Sequence, residues 1–474
     1  MVQIKFGTSG WRGIIADDFT FNNLRAVSQA IAEYVIRVDE GRYGMIVGHD
    51  SRFMGDAFAR EAAAVLAGNG VKALVSDNEV PTPTISWAII SGKAGGAVNI
   101  TASHNPAHYS GVKYSSKWGG PALPEATEWI ANRANEIVTA GTVRLVTEAQ
   151  ARDAGLWEDV NLAEDYLEGL KKKIDFSVIE QSGAGAAYDP LFSTGRGYLD
   201  RILTEHQIPV TVIHNTKDPL FGGGPPDPSE YRLQELSRIV KETSEIVVGL
   251  ATDGDADRFG ILDADGSFVE PNYIIALLLD YLITRKGYRG GAARSVATTH
   301  LVDAVAKYHG VECFETPVGF KYIGEYIAAD KIVGGGEESA GFSIFGHVPE
   351  KDGIIACLLT FEMVCREKKT IRQLLDDLYA KVGAYRTRRE NLTLTEELSK
   401  AFASKVASSP AAFSGIPVTG TVTIDGTKYL LEDGSWILFR KSGTEPVVRI
   451  YGESSDDGKL DRLMKSGKEF ITTL

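Results

Sequence analysis

Cysteine is scarce here. There are three, Cys313, Cys357 and Cys365; the number is odd and none forms a Cys-x-x-Cys pair. No disulfide framework is expected, and the reading is a reducing compartment, the cytoplasm. Long apolar runs are missing too. The best, Tyr273–Ile283, is too short to span a bilayer and reads as a buried core helix. Met1–Gly10 is polar and Gly-rich rather than basic and then apolar, so no signal peptide is expected. Positive charge is in deficit: 50 Lys and Arg against 63 Asp and Glu give a net charge of -13. Such a chain repels nucleic acid and anionic membranes, and neither is expected as a partner. It also repels phosphorylated ligands, so a phosphate must be held by local clusters of Arg, Lys and backbone N–H.

Glycine, by contrast, is plentiful: 50 of 474 residues, which implies many tight turns and close backbone approaches. The length is too great for one core, so several domains are expected. Strand-like and helix-like segments alternate in three rounds of roughly one hundred residues, which suits small α/β domains. The first round has strands at Tyr43–Gly48, Val71–Ser76 and Gly96–Ile100 around a helix at Gly55–Gly68. The second has strands near Ala184–Asp189, Pro209–His214 and Ile246–Ala251. The third follows Asp265, with helices at Tyr273–Thr284 and Ile354–Arg366. After Arg372 the pattern changes: strands at Val418–Ile424, Tyr429–Leu431, Trp436–Arg440 and Val447–Tyr451 cluster between helices, as in an α+β domain.

Four segments carry chemistry. Thr101-Ala102-Ser103-His104-Asn105-Pro106 follows a buried strand, where α/β folds place ligand sites; alone, it reads equally well as an Asx-type turn. Asp253-Gly254-Asp255-Ala256-Asp257-Arg258 sets three carboxylates at alternate positions. They repel one another unless a cation intervenes, and oxygen ligands favour Mg2+ or Ca2+. An EF-hand is excluded: its sixth position here is Arg258 instead of Gly, and its twelfth is Ala264 instead of Glu. Gly334-Gly335-Gly336-Glu337-Glu338-Ser339-Ala340-Gly341 offers close backbone approach with acceptors and a donor for sugar hydroxyls, or a plain Gly-rich turn. Arg440-Lys441-Ser442-Gly443-Thr444-Glu445-Pro446, with Arg449 beyond, is dense in donors and suits a phosphate dianion better than a hairpin turn. Gly7–Gly13 with Arg12, Lys113, and Lys351 in Glu350-Lys351-Asp352-Gly353 are weaker signals.

In this order, from Gly7 to Tyr451, the motifs resemble those of the α-D-phosphohexomutase superfamily. The resemblance implies four domains around a central cleft: three similar α/β domains with mixed sheets and a C-terminal α+β domain. The expected divisions are 1–155 with the phosphoserine loop, 156–264 with the metal loop, 265–375 with the sugar loop and 376–474 with the phosphate loop. It implies Ser103 as the phosphoryl carrier, with His104 in the catalytic set. Asp253, Asp255 and Asp257 would hold Mg2+ with an oxygen of phosphorylated Ser103. Arg12 and Arg258 would face the reacting phosphate, and Lys113 would act as general acid or base. Glu337 and Ser339 would grip sugar hydroxyls, with Gly319 in a further substrate loop and Lys351 facing the substrate. Arg440, Ser442, Gly443, Thr444 and Arg449 would bind the non-reacting phosphate.

One departure stands out: relatives with a GEMSGH loop carry a histidine where this chain has Gly341. The Glu-Glu-Ser wording, Glu350–Gly353 and Gly119-Gly120-Pro121-Ala122 resemble the phosphoglucomutases within the superfamily. The expected partner is a phosphorylated hexose, with glucose 1,6-bisphosphate as intermediate and activator, and the expected state is a monomer or homodimer. A mannose-phosphate or dual-specificity mutase is the alternative enzyme. A sugar-phosphate sensor is the non-enzyme alternative, although it would need neither Ser103 nor the aspartates.

Overall fold

Three of the four sheets repeat one topology. The computed structural model describes residues 3–7, 10–408, 410–441 and 447–473. In spatial order the first sheet is β1 (Trp11–Ile14), β5 (Tyr109–Ser115), β4 (Ala97–Ile100), β2 (Met45–His49), β3 (Ala73–Ser76) and β6 (Trp157–Val160). The second is β11 (Phe268–Val269), β10 (Phe259–Leu262), β9 (Ile246–Thr252), β7 (Gly185–Asp189) and β8 (Val210–Val212). The third is β13 (Cys313–Thr316), β12 (Gly291–Ser295), β14 (Ile332–Glu337) and β15 (Gly341–Ile344).

In each, a central strand has a parallel neighbour on either side, and the last of these three in chain order turns back into an antiparallel strand. The turning pairs are β4–β5, β9–β10 and β14–β15. The connecting loops carry Ser103, the three aspartates, and Glu338 to Ala340. Each therefore hangs from the carboxyl end of a strand in a parallel set, where open α/β sheets leave room for ligands.

Strands β2, β4, β7 and β14 are buried along their length, as helices on both faces require. Helix Gly353–Glu367 is buried from Gly353 to Cys365. Asp352 caps it through Oδ1, 2.9 Å from Ile354 N and 3.0 Å from Ile355 N. Its Oδ2 lies 2.7 Å from the Tyr166 hydroxyl and 2.6 Å from His347 Nε2. One apolar core runs from Tyr166 to Leu378, so the second and third units share an interior. The first sheet is completed by β6, which pairs with β3, so this unit continues past residue 155. Its Trp-Glu-Asp-Val sequence, with both acids exposed, has little of the apolar pattern that marks a strand. Helix Ile371–Val382 buries Leu374, Leu375 and Leu378 in the shared core and so crosses the expected division at 375.

The fourth sheet is antiparallel throughout: β16 (Arg386–Thr393), β21 (Val447–Ser454), β20 (Trp436–Lys441), β19 (Thr427–Leu431), β18 (Ile416–Val422) and β17 (Ala412–Phe413). Its core is separate. It meets the third unit through a small apolar cluster, with Val296 and Ala297 against Trp436, Leu438 and Tyr451, and through buried polar groups. Lys428 Nζ donates to Val296 O at 3.0 Å and lies 2.7 Å from His300 Nε2, over the Trp436 ring. Burial, aided by repulsion from Arg294, pushes this ammonium down to about 8. Glu453 accepts from Trp436 Nε1 at 2.6 Å, from His300 N at 3.1 Å and from the Thr299 hydroxyl. Among the described residues, no helix is long and apolar enough to cross a membrane.

Candidate active site

β4 delivers Thr101 and Ala102 to the cleft, and Ser103 then turns left-handed at φ +51°. That conformation costs a non-glycine residue about 1–2 kcal/mol, so something must hold it. Locally, Thr101 Oγ1 accepts from Ser103 N at 2.9 Å and donates to Asp50 Oδ2 at 2.6 Å. The turn aims the serine hydroxyl across the domain boundary: Ser103 Oγ donates to Asp253 Oδ2 at 2.7 Å. His104 Nδ1 is 3.3 Å from Ser103 Oγ. Burial and the charges of Arg258 and Arg12 push His104 well below its ordinary range, so its imidazole is neutral near pH 7.

Asp253, Asp255 and Asp257 are all buried, with one carboxylate oxygen from each within 4.8 Å of the others. Asp255 Oδ2 accepts from Thr82 Oγ1 at 2.6 Å and from Lys113 Nζ at 2.5 Å. Asp257 Oδ2 lies 2.7 Å from Lys113 Nζ and 3.1 Å from Lys351 Nζ. Asp255 Oδ1 and Asp257 Oδ1 are buried without a hydrogen-bond partner among the described residues. Burial, with repulsion from its two fellow aspartates, pushes Asp253 well up. At Asp257 burial acts the same way, but Lys113, Lys351 and Arg258 outweigh it and hold this carboxyl low. An all-oxygen trio with two unsatisfied anionic oxygens fits a hard divalent cation such as Mg2+.

A ring of cations surrounds the trio. Burial works against the Lys113 ammonium, yet Asp255 and Asp257 keep it protonated. Arg12 enters on β1, opposite Gly111 of β5, and donates to Asn105 Oδ1 at 2.6 Å. Arg258 pairs through its backbone with Gly341, joining the metal and sugar loops. Two glycines make this approach possible. A Cβ at Gly353 would lie 2.2 Å from Arg258 O, and one at Gly341 would lie 2.5 Å from Lys351 Cδ. Lys351 thus occupies the space into which any side chain at 341 would project, so no histidine fits there in this arrangement. Its ammonium also lies 2.8 Å from Glu350 Oε1.

Glu337 ends β14 and accepts from Gly319 N at 2.7 Å. Burial and the neighbouring Glu338 push its carboxyl up to about 7. Glu338 Oε2 accepts from Ser295 Oγ at 3.0 Å. Ser339 is half-buried beside them. The raised value has a definite sign. The unfolded glutamate releases its proton near 4.5 and the folded one near 7, so folding loses stability as pH rises through that window. Replacing Glu337 by Gln is therefore expected to raise the melting midpoint at pH 8 relative to wild type, with little change at pH 4. Wild-type kcat/KM is expected to fall below pH 7 as Glu337 takes up its proton, and the variant is expected to lose that pH dependence. Calorimetry and pH–rate profiles on both proteins check this; identical profiles would count against Glu337 as the titrating group.

In the fourth unit, Arg440 Nε lies 3.0 Å from both Asp425 oxygens, and Asp425 Oδ2 accepts from Val318 N at 3.1 Å. The pair ties the fourth unit to the loop that holds Gly319. Arg449 stands opposite Arg440 in the β20–β21 register, with its Nε buried and without a hydrogen-bond partner among the described residues. Ser442, Gly443 and Thr444 lie outside the described residues. The first three units thus bring Ser103, His104, Arg12, Lys113, the three aspartates, Arg258, Lys351 and Glu337 into one cluster. From the fourth sheet Arg440 senses the charge of Glu338, and Arg449 is its neighbour on β21. The sequence motifs did not single out Thr82, Asp425, or the pair Asp50 and Arg52. For the last two a signal existed, since they follow β2 at the same carboxyl edge as the serine loop.

Four models of one family match the chain in order. They are described as phosphoglucomutase/phosphomannomutase, alpha/beta/alpha domain I (residues 3–140), domain II (164–266), domain III (270–382) and C-terminal domain (387–466). The chain belongs to this family. Its activity is accordingly that of a phosphohexomutase, an isomerase that transfers a phosphoryl group within its substrate, and this replaces the sensor reading. Among similar proteins, the phosphoglucomutase of Komagataeibacter xylinus is 30% identical over 95% of this chain and 87% of its own. The phosphoglucomutase/phosphomannomutase of Thermococcus kodakarensis is 29% identical over 98% of each. A crystal structure from Thermus thermophilus, provisionally named a phosphomannomutase, superposes with a TM-score of 0.85 at 33% identity over 99% of each chain.

Proposed function

We propose that the chain is a phosphoglucomutase, interconverting glucose 1-phosphate and glucose 6-phosphate through phosphorylated Ser103 and a glucose 1,6-bisphosphate intermediate. The observation that carries the proposal is the 2.7 Å approach of Ser103 Oγ to Asp253, inside a ring of Arg12, Arg258, Lys113 and Lys351. A serine at the focus of that many cations can carry a phosphate dianion out of water.

In the first half-reaction the free sugar hydroxyl bonds to phosphorus while the bond from phosphorus to Ser103 Oγ breaks. The hydroxyl gives up a proton and Ser103 Oγ takes one. We assign that exchange to Lys113 and to neutral His104, whose Nδ1 lies 3.3 Å from Ser103 Oγ. Mg2+ held by Asp253, Asp255 and Asp257 would supply charge neutralisation at the transferring group. Arg12 and Arg258 orient the phosphoryl oxygens, while Glu337 and Ser339 bind sugar hydroxyls. Arg440 and Arg449, with Ser442, Gly443 and Thr444, hold the other phosphate, for which Arg440 must exchange Asp425. The intermediate then turns end for end and returns its second phosphate to Ser103.

Support for glucose comes from Lys351 filling the space beside Gly341, from the Glu337-Glu338-Ser339 loop, and from the Komagataeibacter relative. The Thermococcus relative, named for both activities, favours dual specificity as the second reading. Coupled assays of glucose 1-phosphate and mannose 1-phosphate on one preparation decide between them. The expected result is a kcat/KM at least about tenfold higher for glucose, or about 1.4 kcal/mol of discrimination; equal or reversed values would reassign the substrate.

A further inference from the structure

We propose that Arg52 is a positioning residue for phosphoryl transfer, its guanidinium holding the serine loop so that Ser103 Oγ faces the metal-binding carboxylates. The inference rests on Ser103 as carrier.

A guanidinium has five N–H donors, and here every one is engaged. Nε donates to Asp50 Oδ2 at 3.0 Å. Nη1 donates to Pro106 O at 2.7 Å and Tyr109 O at 3.0 Å. Nη2 donates to Ser103 O and Asn105 O, each at 2.6 Å. Four of the five bonds thus go to main-chain carbonyls of the serine loop and of Tyr109, where β5 begins, and so supply partners that a ladder would supply within a strand.

The clamp is itself held. Arg52 and Asp50 have fully buried side chains. Asp50 also accepts from Arg52 N at 3.0 Å and from the Thr101 hydroxyl at 2.6 Å. The guanidinium stacks 5.1 Å from the ring centroid of Phe221, which belongs to the unit that carries the metal loop. Arg52 therefore joins the end of β2, the serine loop and the second unit in one contact.

Full engagement separates Arg52 from its neighbours. Arg258 Nε is buried with no hydrogen-bond partner among the described residues, and Arg12 spends one terminal nitrogen on Asn105; both keep donors for a phosphate. Arg52 keeps none, so its charge serves geometry. Lysine cannot replace it: three donors on one nitrogen do not reach four carbonyls spread from residue 103 to residue 109. Loss of the clamp frees Ser103 to leave its left-handed conformation, and an error of about 1 Å in a reacting group costs about 10^2 in rate.

The test is Arg52→Lys, which keeps a cation opposite Asp50, with kcat and KM normalised to folded protein. The expected result is a fall in kcat of about 10^2-fold with KM within about threefold of wild type. If that variant does not fold, Asp50→Asn combined with Arg52→Gln removes both buried charges together, and the same split is expected. A kcat within threefold of wild type in either folded variant would overturn the proposal. So would a rise in KM at unchanged kcat, which would make Arg52 a phosphate ligand. Intact mass of wild type after turnover separates the two premises. Active protein without phosphate on Ser103 overturns the carrier role itself, whereas phosphorylated wild type beside a fully active Arg52→Lys overturns only the clamp.

Discussion

Turnover is expected to fall by at least about 10^4-fold when Ser103 is replaced by alanine, the scale of loss when a covalent nucleophile is removed. The fold should survive. The side chain contributes a hydrogen bond to Asp253 and a longer one to His104, and the loop is held by main-chain carbonyls that alanine leaves in place. Substrate binding should survive as well, because Arg440, Arg449 and Glu337 are untouched. The variant should thus bind glucose 1-phosphate and gain no covalent phosphate by intact mass. Near-normal turnover with a native melting curve would refute the carrier role.

Asp255→Asn is the second. Its carboxylate receives Thr82 and Lys113 on one oxygen and presents the other, buried and unpaired, to its two fellow aspartates. The amide keeps the shape and one acceptor but removes a charge from the trio. A cation at a transferring phosphoryl group contributes several kcal/mol, so kcat should drop about 10^3-fold. The residual activity should no longer rise with added Mg2+, and wild type dialysed against EDTA should behave like the variant until Mg2+ is restored. Full wild-type activity in EDTA would be incompatible with this assignment.

The chemistry was legible in the sequence because each loop concentrates it in a few adjacent residues. Asp253 to Asp257 announce a cation by mutual repulsion alone, and Ser103 stands where a buried strand ends. The strands that return from these loops were not legible. β10 (Phe-Gly-Ile-Leu) and β15 (Gly-Phe-Ser-Ile) are four residues each, buried on both faces, and lack the alternation that marks a strand. β5 was read for Lys113 but not as a strand. Contacts between units were beyond reach for another reason. Lys351 beside Asp257, Thr82 on Asp255 and Val318 on Asp425 are set by how separate domains dock, and no local spacing encodes that. Arg52 shows the limit most clearly. In sequence it is one arginine after a strand; only the folded loop reveals four carbonyls converging on it.

The junction between the third and fourth units has a consequence for how the protein works over many cycles. Beside its small apolar cluster, this junction is crossed by ionic and hydrogen-bonded contacts: Lys428 on Val296 and His300, Glu453 on Thr299 and His300, Asp425 between Arg440 and Val318. Solvent can take over such bonds nearly one for one, whereas a parted greasy face would expose surface that water rejects. On the proposed mechanism the fourth unit would swing away to let the bisphosphate reverse, and its own separate core would stay dry and intact. Repeated opening then wears on no core, and the joint closes again on the same few charges.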